Sequence, residues 1–351
     1  MIYVAMVNGL MALRFILARA TGLRRQAYFL LLAGLFLFVA FRFEVGCDWR
    51  GYLHQYQVYG RAAITDFLNT REVLWIGLFR VQHWLELPYP WINVAAALIF
   101  FAGAHVMARR QPDALAFLIF LLPVLIINMP MSGIRQGAAI GMMCMAFMAF
   151  NDRALLRFLA LTAIASALHS SALVFLLLAP LVSGGYSRNR LALAGLLALP
   201  GAALLMGGES AEVASSRYLG TDIEAAGAAF RVGFVAFSGV YFLTFLKHKW
   251  RNGFPQDFKL AMIGSLLMIG LLALLPVSSV IADRMAYYLI PVQAMIFARI
   301  PYLPWRSERI LHVVWPYLAV LALFLVWSSR SFLFQVCYMP YQSWLFGMPG
   351  L

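Results

Sequence analysis

Apolar runs follow one another along almost the whole chain, separated by short polar stretches. Runs of about 18–20 apolar residues are long enough to cross a bilayer as α-helices. The pattern predicts spans near 2–18, 27–41, 90–107, 114–130, 137–150, 155–168, 170–182, 191–206, 230–246, 259–276, 285–299 and 311–327. The pair 155–168 and 170–182 is short for two spans and reads as one long helix or a broken one. Residues 73–79 are too few to cross. The stretch 42–89 is therefore expected to be one outer loop with amphipathic helices lying on the membrane. A β-barrel does not fit, because barrel strands alternate apolar and polar residues and these runs are continuous. Segment 1–18 carries Arg14 and has no basic leading region, so it reads as a first span rather than a cleaved signal. The expected fold is all-α and polytopic, with about 11–12 transmembrane helices. It forms a single membrane domain over 1–351 with outer loops 42–89 and 207–229. No repeat divides the chain, which argues against an inverted-repeat transporter.

Composition agrees with this reading. Of 351 residues, 12% are charged, about half the share in soluble domains, which leaves no soluble domain of useful size. The net charge of +13 could suggest nucleic acid, but the basic residues sit between apolar runs and follow the positive-inside rule. Alternate loops hold 16 Lys and Arg, while the other segments hold 10 Arg and no Lys. This asymmetry puts both termini on the periplasmic side of a bacterial inner membrane. Cys47, Cys144 and Cys337 form no C-x-x-C pair. Cys47 and Cys337 both fall outside, and we favour two unrelated thiols over a disulfide.

Topology explains the inner charges but not the outer arginines, which lie in five polar constellations. The first spans 42–52, where Gly46 and Gly51 permit turns that would gather Arg42, Asp48 and Arg50 at the interface. Those charges could equally pair with one another in water. Tyr52, Tyr56 and Tyr59 form one helical stripe, suited to sugar stacking and better suited to an interfacial aromatic belt. The second is Glu72 with Arg71 and Arg80. By itself Glu72 reads more readily as a cap on a helix dipole, worth up to about 1 kcal/mol, than as a catalytic acid. The third, 131–137, puts Arg135 and Gln136 at the start of an apolar helix. An arginine there either snorkels or serves a site, and we favour the site. The fourth is His169, in a polar island within an apolar stretch. The alternative to a proton-exchanging imidazole is a packed histidine bonded to a backbone carbonyl, and we favour the former. The fifth is Asp283 and Arg284 with Tyr287, either a surface pair of little worth or part of one site with Arg135 and His169.

Arginine's planar fork matches phosphate oxygens, so these residues fit a lipid-linked diphosphate. No Walker-type loop, Asp-x-Asp pair or metal-ligand spacing is present. Neither a cofactor nor a metal is expected.

At these positions the sequence resembles the EpsG family of Wzy-like exopolysaccharide proteins. The matching features are Arg42 with Gly46, Asp48 and Tyr52; Glu72; Arg135–Gln136; His169 with Ser171 and Ala172; Asp283–Arg284 with Tyr287; and Pro340–Tyr341. The resemblance implies a membrane glycosyltransferase, a polysaccharide polymerase that joins undecaprenyl-diphosphate-linked repeat units at the periplasmic face. It implies a helical fold similar to other lipid-sugar-dependent, GT-C-like enzymes. The partners are then the lipid-linked oligosaccharide, membrane lipids and other polysaccharide synthesis and export proteins, with no nucleic acid. In that scheme Arg135 and Arg284 hold the diphosphate with Arg42 or Arg50 in support. His169 or Asp48 takes the acceptor proton, Glu72 joins the catalytic set, and Gln136, Tyr52, Asp283 and Tyr287 meet the sugars. A flippase would want arginines along a path through the bundle, where essentially only Arg14 lies. A ligase using the same donor is not separated from a polymerase by sequence.

Overall fold

The computed structural model describes residues 2–60, 72–184, 227–305 and 307–347, with a few positions between 187 and 196. Arg71 and nearly all of the expected span 191–206 and of the loop 207–229 lie outside the described residues. The regular structure among the described residues is helical. The helices are α1 (Ile2–Ile16), α2 (Thr21–Ala40), α3 (Trp49–Tyr59), α4 (Val73–Trp84), α5 (Trp91–Ala108), α6 (Ala114–Leu121) and α7 (Ile134–Asn151). They continue with α8 (Leu155–Leu168), α9 (Ala228–Tyr241), α10 (Phe258–Gly270), α11 (Ser279–Arg299), α12 (Arg309–Arg330) and α13 (Phe332–Tyr338).

The predicted spans are borne out as helices wherever they are described. Among the described residues, six stretches are long and apolar enough to cross a membrane: Ile2–Arg19, Thr21–Ala40, Trp91–Ala108, Ala228–Gly253, Ser279–Tyr302 and Arg309–Arg330. Shorter apolar helices cover Ala114–Ile126, Leu155–Leu168, Ser170–Val182 and Phe258–Ala273. This is a multi-pass membrane protein. Its outer helices leave large apolar side chains uncovered, among them Ile16 at 77% exposure and Leu30 at 75%, which only a lipid surround makes stable.

Helix α7 lies at the centre, buried along most of its length. Its small residues let neighbouring backbones approach, which is how helices associate in lipid. A Cβ on Gly103 of α5 would lie 1.8 Å from the Gly141 carbonyl oxygen of α7, and one on Gly141 would lie 2.5 Å from Phe100 Cα. Helix α9 packs on α10 and α11, and α11 also packs on α6.

Ion pairs close one end of the bundle. Asp113 takes Arg14 at 2.5 Å and Arg24 at 3.1 Å, Arg110 pairs with Asp152 through both arms, and Arg299 pairs with Asp257. Arg14 sits in the last turn of α1 and is a paired charge, held by Asp113. The other end, where Tyr3 meets Tyr338, carries α3, α4 and α13. There the tyrosine stripe of α3 forms a seam against α4 rather than an interfacial belt. Tyr52 packs edge-on to Trp75, Tyr56 stacks on His83 at 4.1 Å, and the Tyr56 hydroxyl donates to the Leu87 carbonyl. The opposite face of α4 exposes Leu74, Val81 and Trp84, an apolar stripe of the kind that rests on a membrane surface.

Candidate functional site

The site is built on the turn that follows α2. Arg42, 2% exposed, points inward instead of joining Asp48. Its Nε donates to the carbonyls of Val45 and Met131 at 3.0 and 2.9 Å, Nη1 to that of Val39 at 2.8 Å, and Nη2 to Asn93 Oδ1 at 2.8 Å. A buried guanidinium needs such partners to offset its lost hydration. Here it clamps the turn to α5 and to the segment before α7. Gly46 is the contact point. Its φ is +106°, and a Cβ there would fall 1.9 Å from the Met131 carbonyl oxygen. Its N–H donates to the Cys337 carbonyl at 2.7 Å. The next residue, Cys47, is disulfide-bonded to Cys337, with Cα atoms 4.8 Å apart. This corrects the expectation of two unrelated thiols: the cysteines lie 290 residues apart in sequence, and the fold brings them together. Arg50, exposed on α3, does not line the cavity that these contacts shape.

That cavity, about 450 Å³ in volume, opens at this end of the bundle. Asp48, Tyr52, Arg135, Gln136, His169, Asp283, Arg284 and Tyr287 all line it. Four elements bring them together. Gly133 starts α7 just beyond the Met131 clamp. Ser278 caps α11, its hydroxyl accepting from the Ile281 N–H, so this helix begins six residues before the expected span and carries Asp283, Arg284 and Tyr287 in its first turns. His169 lies at a true break, with φ −152° and ψ 116°, between α8 and a 3₁₀ segment Ser170–Leu178. This settles the shape of 155–182 as two pieces and turns the imidazole towards the cavity wall.

Glu72 links the charged groups. It precedes α4 but makes no side-chain cap, so the capping reading fails. Its carboxylate takes Arg135 Nη1 at 2.5 Å, His169 Nδ1 at 2.7 Å and the Ser170 N–H at 3.0 Å. Burial pushes the Glu72 carboxyl up, but the His169 hydrogen bond and the Arg135 charge prevail and hold it down at about 2. An ionised Glu72 can only accept, so His169 Nδ1 carries the proton in this bond. Nε2 is then left with a lone pair and no hydrogen-bond partner among the described residues. Arg135 Nε is buried with no acceptor among the described residues, a donor of the kind that an anion satisfies.

On the other wall Asp283 pairs with Arg231, not with its neighbour Arg284, through two bonds of 2.8 Å. Arg231 also lies over the Tyr287 ring at 5.7 Å. Gln136 donates to the Arg284 carbonyl at 2.7 Å, the Ser132 hydroxyl to Asp48 at 3.3 Å, and Tyr338 to Asn128 Oδ1 at 3.2 Å. Asn128 in turn donates to the Tyr287 hydroxyl. Sequence reasoning missed Arg231, Asn128 and Tyr338. The first two were open to it: each is a lone polar residue in an apolar stretch, the default mark of a functional position in a membrane helix.

The model of the EpsG family matches residues 26–343. The chain belongs to the EpsG family. The matched stretch takes in every residue that lines the cavity. No curated protein and no solved structure matches the chain. EpsG membership implies a polysaccharide-polymerase-like function of the glycosyltransferase kind.

Proposed function

We propose that this EpsG protein is a Wzy-like polymerase that joins undecaprenyl-diphosphate-linked repeat units at the periplasmic face of the bacterial inner membrane, in exopolysaccharide synthesis. The observation that carries the reading is the convergence of Arg135, Arg284, Asp48 and the Glu72–His169 pair on one cavity. The Cys47–Cys337 disulfide supports the periplasmic side, because such bonds persist in oxidising compartments.

In the proposed reaction the bond between the sugar's anomeric carbon and the diphosphate oxygen breaks, and the electron pair leaves with the diphosphate. An acceptor sugar hydroxyl on the incoming unit bonds to that carbon, and its proton passes to His169 Nε2. Diphosphate is already a competent leaving group. The protein's tasks are therefore to hold its negative charge with Arg135 and Arg284 and to position the acceptor. His169 is the base, and Glu72 fixes its tautomer and orientation, as an acid does for the histidine of other nucleophile-activating sets. Asp48, Tyr52, Gln136, Asp283 and Tyr287 remain for sugar contacts. Guanidinium charge does the work a metal would otherwise do.

The test is polymerisation by the purified protein from a defined lipid-linked repeat unit. The wild type should give long chains. His169→Ala and Arg135→Ala should each lower the rate about 100-fold or more, the usual worth of a positioned base or charge. Wild-type chain lengths from either variant, at equal protein level, would remove that residue from the site.

A further inference from the structure

The polar cavity does not end in polar surroundings. It runs into an apolar groove of about 590 Å³ between α9 and α12. Asn128, Arg231, Trp327, Ser331 and Leu333 line both. One wall of the groove is Phe230 and Phe234, one turn apart on α9. The other is Ala319, Ala322, Leu323 and Val326, which share one face of α12 at spacings of three and four. Two alanines in that stripe leave a trough where larger residues would fill it. The groove opens sideways: Phe230 is 72% and Val326 55% exposed, on helices long and apolar enough to face lipid.

We propose that this groove holds the isoprenoid tail of the lipid-linked diphosphate, admitted from the bilayer between α9 and α12. The inference rests on the polymerase reading for its substrate class, and it adds where the lipid lies and by which route it reaches the site. Its support is the order of the parts. A lipid-linked sugar is apolar tail, then diphosphate, then sugar. The protein offers, in the same order along one continuous space, the apolar groove, the junction at Arg231 next to Arg284, and the polar cavity of Asp48, Arg135 and His169. The diphosphate of a tail lying in the groove falls at the junction, beside the Arg231–Asp283 pair, Arg284 and Asn128. A phospholipid acyl chain would suit the groove but not the cavity beyond it. The isoprenoid diphosphate suits both.

The experiment uses the full-length protein in lipid nanodiscs and undecaprenyl diphosphate with a photoreactive group in its tail. Irradiation should label peptides from α9 and α12. Unlabelled undecaprenyl diphosphate should compete, and phosphatidylglycerol should not. Ala322→Trp, at an exposed position, should lower labelling about tenfold, a loss of about 1.4 kcal/mol in binding, without changing the melting temperature. Leu323→Trp serves as the second variant. Labelling elsewhere, equal competition by phosphatidylglycerol, or undiminished labelling in both folded variants overturns the proposal. Labelling is read without any reaction taking place. A protein labelled as expected that forms no polymer would retain the groove and sink the polymerase reading instead.

Discussion

At the residue scale, Glu72 is the charge on which the site turns. Its folded carboxyl titrates at about 2, against about 4.3 when unfolded. A depressed pKa means that its ionised partnership stabilises the fold above about pH 4.3 and that this contribution is lost as pH falls towards 2. Glu72→Gln should therefore melt below the wild type by a constant margin at neutral pH, and the margin should shrink between about pH 4 and pH 2. Thermal melting across that range checks it. Gly46 gives a second prediction. Gly46→Ala introduces a methyl 1.9 Å from the Met131 oxygen at a φ of +106° and should destabilise by at least about 1 kcal/mol, read as a lower melting temperature. Arg42 and Arg135 show what sequence can and cannot say at this scale. Both are arginines a few residues from a glycine, at the same end of the bundle. Whether the donors are already filled depends on where the carbonyls of Val39, Val45 and Met131 lie, and only the folded chain fixes that.

At the scale of elements, apolar run length was enough to find the helices, because a bilayer imposes it. It was not enough to place their starts. Ser278 and the residues after it look like loop by hydropathy, yet a serine cap begins α11 there and puts Asp283 and Arg284 on a rigid scaffold. The break at His169 was left open by hydropathy for the same reason: both halves are equally apolar. Unwound backbone at such a depth is tolerated where it lines a polar space, and there it frees the Ser170 N–H for Glu72. The α5–α7 contact makes a further prediction. Gly141→Leu must push α5 away, because its Cβ would already lie 2.5 Å from Phe100 Cα. Overpacking of this kind costs about 1–3 kcal/mol. The loss of melting temperature should exceed that of Gly34→Leu, whose Cβ meets nothing.

At the scale of the whole molecule, the all-α, multi-pass class was legible, because it follows from averages over many residues. The pairing of Cys47 with Cys337 was not, because it depends on how α2 and α13 come together. The bond closes a loop of nearly the full chain and joins the Asp48 turn to the C-terminal helix. Cys47→Ser should cost about 2–4 kcal/mol, the usual worth of a disulfide. Reductant should shift the wild-type melting curve towards that of the variant and leave the variant unmoved.

On the proposed function, the same cross-link ties catalysis to maturation. A freshly inserted chain already has its spans and the Arg42 clamp, and oxidation of both sulfurs adds the covalent tie between the Asp48 turn and α13. On the polymerase reading, sugar-chain growth then depends on the cell's thiol-oxidising machinery. A strain defective in that machinery would make short polymer while holding its full complement of this protein in the membrane.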